Sequence, residues 1–175
     1  MTLQDEGYHQ KQLNRCRLVS HLFNKETSMS NATTTQENNI KLVQTFFDLL
    51  EKRDIFAITE IASPELVWHQ PGKNRFSGSH RGLIEVGMMV AGMIAMTQDN
   101  LEITVEGPVT AENDLVRAKV TLTAEAKGLS LTRTGMDTFK VENGIIVEAW
   151  SESDNQSEID NFWAEVSATP AAAPM

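Results

Sequence analysis

Asp-Thr-Phe-Lys-Val-Glu-Asn-Gly-Ile-Ile-Val-Glu-Ala-Trp, residues 137–150, is the stretch on which the fold turns. Asn143-Gly144 tolerates the positive φ that a tight hairpin demands, and β-favouring residues flank it on both sides. The spacing predicts strands over Leu129–Val141 and Ile145–Ser153, joined at Glu142-Asn143-Gly144. Upstream, Leu101–Val105 and Leu115–Ala124 carry the same β signal. Downstream, Ser157–Val166 places Ile159, Phe162 and Trp163 on one helical face.

Toward the N-terminus the period changes. Ile40, Val43, Phe47 and Leu50 recur at helical spacing, with Phe46 and Leu49 widening the stripe. Asp54 is an N-cap for a short second helix carrying Ile55, Ile58 and Ile61, which Pro64 closes. Leu66–His69 reads as a strand and Pro71-Gly72 as a turn. Leu83–Met96 reads as a third helix, apolar on most sides and so expected to be well buried. The order is ααβαββββα. Helices followed by long antiparallel strands predict an α+β domain in which a curved antiparallel sheet has helices covering its concave face. Such an arrangement leaves a concave pocket.

At 175 residues the chain suits one domain with tails. Residues 1–36 are polar with no sustained period and read as a disordered extension, with Met29 an equally good start. The domain is expected over residues 37–167, and the Ala/Pro-rich residues 168–175 as a disordered tail. A formal charge of −9 argues against nucleic acid and anionic membranes as partners. No apolar run approaches the roughly 20 residues of a membrane span. One cysteine, Cys16, forms no internal disulfide, so a reducing cytoplasm is the expected compartment. No His/Asp/Glu cluster has metal-ligand spacing, and no phosphate-binding Gly-rich loop occurs. Neither a metal nor a cofactor is expected.

Asp54-Ile-Phe-Ala-Ile58, Leu66-Val-Trp-His-Gln-Pro-Gly72 and Ser77-Gly-Ser-His-Arg-Gly82 resemble the SnoaL-like, polyketide cyclase-like branch of the nuclear transport factor 2-like superfamily. The hairpin at 137–150, followed by Ser153-Asp-Asn-Gln156 and Asp160-Asn-Phe-Trp163, resembles it more strongly. The resemblance covers roughly residues 38–166 and implies a cone-shaped sheet around one small-molecule pocket. It also implies a homodimer formed through the outer sheet face. Fold does not settle function in this superfamily, which holds isomerases, cyclases, epoxide hydrolases and binding proteins without chemistry.

The catalytic positions are mostly changed. Against ketosteroid isomerases, the oxyanion Tyr falls on Phe46, the carboxylate base on Gln70 and the oxyanion Asp on Asp137. Against SnoaL-type cyclases, the acid–base His falls on Asp137 and the Asp on Ser151. Against limonene-type epoxide hydrolases, Arg117 would supply the Arg, but its strand offers no neighbouring Asp. Asp137 is the sharpest candidate, because Asp is disfavoured mid-strand unless it is exposed or functional. Candidate catalytic residues are therefore Asp137, Gln70 and His69, the last for its imidazole, a common proton carrier in catalysis. Candidate ligand-binding residues are Trp68, Phe46, Phe139, Ser151 and the helix-three Met89. Two functions remain open. One is a small-molecule-binding protein that can do cofactor-independent acid–base chemistry on a hydrophobic carbonyl, epoxide or polyketide-like substrate. The other is a non-catalytic module whose pocket is filled by its own side chains.

Overall fold

The structure, a computed structural model, describes residues 33–168. The described residues from Asn38 onward form one compact unit. Most of the extension predicted at 1–36 lies outside the described residues, but residues 33–36 are helical, as the first turn of α1 (33–51). Val43, Phe46, Phe47 and Leu50 of α1 are buried, as their spacing requires. Arg53 ends the helix with a φ of 58°, and Asp54 then caps α2 (Ile55–Ile58) by accepting from Ala57 N at 3.0 Å.

The strands are β1 (Ala62–Gln70), β2 (Gly78–Arg81), β3 (Leu101–Glu112), β4 (Leu115–Ala126), β5 (Leu129–Glu142) and β6 (Ile145–Ser153). Helices α3 (Gly82–Met96) and α4 (Gln156–Ser167) complete the domain. The strands form one open sheet in the order β2-β1-β6-β5-β4-β3. Three expectations change here. The sheet is mixed, because β1 runs parallel to β6 while every other pair is antiparallel. Between the Pro71-Gly72 turn and the third helix, where no strand was expected, the extra strand β2 pairs Trp68 with His80. Pro64 does not close a helix; it lies inside β1, where the register against β6 shifts and no ladder donor is needed.

The Asn143-Gly144 turn has φ values of 52° and 76°, and Lys127-Gly128 repeats that geometry between β4 and β5. Strand alternation sends Leu131, Arg133, Asp137, Phe139 and Val141 of β5 to the buried side. Gly135 shares their phase and approaches β6 so closely that any Cβ would collide with Glu152 O. Helix α3 is not buried all round. Val86, Met89 and Met93 face the core, but Ile84 is 80% exposed and Met88 70%. Between β1 and β2, the Asp160 carboxylate of α4 holds the chain, accepting from Lys73 N at 3.0 Å, Asn74 Nδ2 at 2.6 Å and Gln156 Nε2 at 3.0 Å.

Candidate functional site

Between the buried side of the sheet and helices α1 and α3 lies a cavity of about 530 Å³. Its walls are Phe46, Phe47 and Leu50 of α1, Val86, Met89 and Met93 of α3, and Leu66 and Trp68 of β1. Exposed Ile84 and Met88 also border it, so the mouth is apolar too. Helix three thus contributes methionines to the wall without filling the space.

Apart from Thr59 at the end of α2, the polar groups gather on three strands. Gln70 follows Trp68 by two residues on β1 and so shares its face. Trp68 Nε1 donates to Gln70 Oε1 at 3.2 Å. Ser151 on β6 is the direct cross-strand partner of Asp137 on β5, and both line the cavity. Arg133 joins them. Four residues span about 13 Å along a straight strand, which the guanidinium arm, the Asp137 carboxyl and the hydrogen bond between them bridge together. Gly135, between the two on the same face, carries no side chain to block it. Arg133 Nη2 lies 2.6 Å from Asp137 Oδ1 and 3.0 Å from Glu152 O, and Nε donates to Ser153 Oγ at 3.0 Å.

Both partners of this ion pair are buried, at 7% and 6% side-chain exposure. Burial raises the Asp137 carboxyl above its ordinary value, because charge is poorly solvated there. The charge and hydrogen bond of Arg133, and then the Ser151 hydroxyl, pull the other way and do not cancel it. Asp137 can therefore hold or give up a proton in a dry site, beside a fixed cation.

Among the expected residues, Asp137, Gln70, Trp68, Phe46, Ser151 and Met89 border one cavity. Two do not. Phe139 is fully buried one layer deeper, in ring contact with Phe46, Phe47 and Trp68. His69 points to the other side of the sheet, since alternation turns it away from Gln70. There its Nε2 lies 2.7 Å from Glu148 Oε1, its Nδ1 2.9 Å from Ser79 Oγ, and its ring stacks on Trp150. Arg117 is also displaced from the role considered for it, being half-exposed and 3.5 Å from Glu112. The cavity's arginine is Arg133. The missed signal was phase, because Arg133, Gly135 and Asp137 alternate along one strand face.

Among the described residues, no three His, Cys, Asp or Glu side chains converge on a point that could hold a metal. None of their helices is long and apolar enough to cross a membrane.

The SnoaL-like domain model matches residues 43–149, which span α1 through β6 and hold every polar group of the cavity except Ser151. The chain belongs to the SnoaL-like family. No curated protein matches it. Among solved structures, this SnoaL-like protein is 31% identical to a protein of unknown function with a cystatin-like fold from Xanthomonas campestris. That match covers 71% of this chain and 97% of the other, with a TM-score of 0.67. A putative SnoaL-like polyketide cyclase from Jannaschia sp. CCS1 is 18% identical over 77% and 95% of the two chains, with a TM-score of 0.61. An LEH-like epoxide hydrolase from M. tuberculosis is 16% identical over 78% and 99%, with a TM-score of 0.58. The last two likenesses are likenesses of fold.

Proposed function

We propose that this SnoaL-like protein binds one small, mostly apolar molecule and performs cofactor-independent acid–base chemistry on an oxygen-bearing group of it. The observation that carries the proposal is the cavity of about 530 Å³ whose apolar walls converge on one buried Arg133–Asp137 pair. A cavity of that size suits a ligand of drug-like dimensions. Asp137 is the proton donor or acceptor, because it alone in the cavity combines a titratable oxygen with burial that favours the neutral form. Gln70 orients the substrate oxygen, and Arg133 steadies negative charge that develops on it. Trp68, Phe46 and Met89 hold the apolar body.

The putative SnoaL-like polyketide cyclase and the LEH-like epoxide hydrolase share this fold, so acid–base chemistry here is an analogy of fold. Hydrophobic carbonyl, epoxide and polyketide-like substrates all fit it. The test is a calorimetric titration with 2-acetonaphthone, a neutral apolar ketone. Binding that Met89→Trp abolishes and His69→Ala leaves unchanged is expected, since only Met89 lines the cavity. Binding that ignores Met89→Trp, or no binding at all, overturns the proposal. Turnover is then sought as Asp137-dependent exchange of the ketone's α-protons in deuterated water.

A further inference from the structure

The polar end of the cavity offers spare donors. The indole Nε1 of Trp68 can only donate, so the Gln70 atom beside it must be the carbonyl oxygen. The amide nitrogen of Gln70 is then the end left over, and it has no partner among the described residues. Arg133 is 5% exposed and uses Nε and Nη2 on Ser153, Asp137 and Glu152. Its Nη1 has no partner among the described residues. Arg133 lines the cavity, and a ligand oxygen placed against this free N–H would gain a charge-assisted hydrogen bond.

We propose that the cavity selects apolar monoanions, bound head first with their charged oxygen against Arg133 Nη1 and Gln70 Nε2, and that binding transfers one proton from water to Asp137. The proposal rests on the small-molecule reading above and adds the class of ligand and its proton linkage. Charge balance carries it. Asp137 is the counter-ion of Arg133 at 2.6 Å. A second negative oxygen on the same guanidinium would put two anions beside one cation in a dry wall, which disfavours the charged form of one of them. Asp137 is the group that yields, because its burial already favours the neutral carboxyl. The ligand then replaces Asp137 as counter-ion, and the net charge of the wall is unchanged. A protonated Asp137 becomes a donor, and Ser151, directly opposite, can turn its hydroxyl to accept from it. A neutral ligand triggers no such exchange. The apolar mouth at Ile84 and Met88 suits the tail of a molecule that enters head first.

The experiment compares 2-naphthylacetate with 2-naphthylacetamide, equal in shape and different in charge, by calorimetry at pH 7 in HEPES and in Tris. The expected result is acetate binding about tenfold tighter than the amide. Its heat should differ between the two buffers by the ionisation of about one proton per site. Asp137→Asn should bind the acetate at least as tightly and lose the buffer dependence, an outcome that simple structural damage would not produce. Arg133→Gln should lose the preference, and Gln70→Leu, at a half-buried position, should weaken it without the risk of an unpaired buried carboxylate. Equal affinity for both compounds, or acetate binding without proton uptake in the unaltered protein, overturns this proposal and leaves the small-molecule reading standing. Failure of the acetate, the amide and 2-acetonaphthone alike overturns both.

Discussion

Replacing Gly135 by alanine should cost this domain roughly a third of its stability. A Cβ at that position falls within the van der Waals envelope of Glu152 O, 2.8 Å from the Glu152 carbonyl carbon and 3.0 Å from Ser153 Cα. All three atoms are backbone of β6, so no rotamer change relieves the clash. Carbon atoms prefer separations of about 3.5–4.0 Å, so β5 and β6 must part by at least about 1 Å. That movement stretches the two hydrogen bonds from Arg133 to Ser153 Oγ and Glu152 O, both 3.0 Å long. Hydrogen bonds from a charged donor contribute about 1.5–3 kcal/mol each. Alanine returns only about 0.4–1 kcal/mol by restricting the unfolded chain. The net loss is about 2–5 kcal/mol, against a total of about 5–15 kcal/mol for an ordinary domain. Urea unfolding followed by far-ultraviolet circular dichroism measures it. Gly87→Ala is the control, because a Cβ there meets no atom within 4 Å and the site is helical. It should gain about 0.5–1 kcal/mol. A Gly135→Ala protein within about 1 kcal/mol of the unaltered one would refute the close approach of β5 to β6.

Phe139→Ala should cost about 3–5 kcal/mol by emptying a site enclosed by three aromatic rings, seen as a lower urea midpoint. Asp137 should make stability fall as pH rises. Its folded value lies above the ordinary 3.8, so its favourable contribution is complete below that pH and is lost as pH rises through the folded value. Urea midpoints from pH 4 to 8 should therefore show a downward component that Asp137→Asn removes. Asp160 should behave in the opposite sense. Burial raises its carboxyl, but the hydrogen bonds from Asn74, Lys73 and Gln156 outweigh that and hold it below 3.8. Asp160→Ala should cost about 1–2 kcal/mol at pH 7, and the difference from the unaltered protein should shrink in acid as that carboxylate protonates.

The local elements were legible because their signals are local. Asn143-Gly144 marks a hairpin whatever surrounds it, and Asp54 caps a helix through its own side chain. The parallel pairing of β1 with β6 was not legible, since nothing in Leu66–Gln70 states which distant strand lies beside it. Strand β2 was hidden for a related reason. Gly78-Ser-His-Arg81 has turn-like composition and becomes a strand only because β1 offers it an edge. In the cavity, a mid-strand Asp without an obvious reason to be there pointed to Asp137. Arg133 escaped because a charged residue between Thr132 and Thr134 looks like a solvated position. Its burial depends on a counter-ion four residues away on the same face. His69 attracted attention by residue type, whereas phase had already sent it to the other face.

The parallel β1–β6 seam also bears on the order of folding. Hairpins such as β5–β6 join neighbours in sequence and close cheaply, but pairing residues 67–69 with 148–150 closes a loop of about 80 residues. Contacts of such long sequence separation slow folding, since the closure entropy is lost before the contact forms. Trp68 and Gln70 sit on one side of that seam, and Asp137 and Ser151 on the other. The cavity's polar end is therefore among the last features to assemble. A refolding chain should regain its β-sheet signal before it regains the ability to hold a ligand.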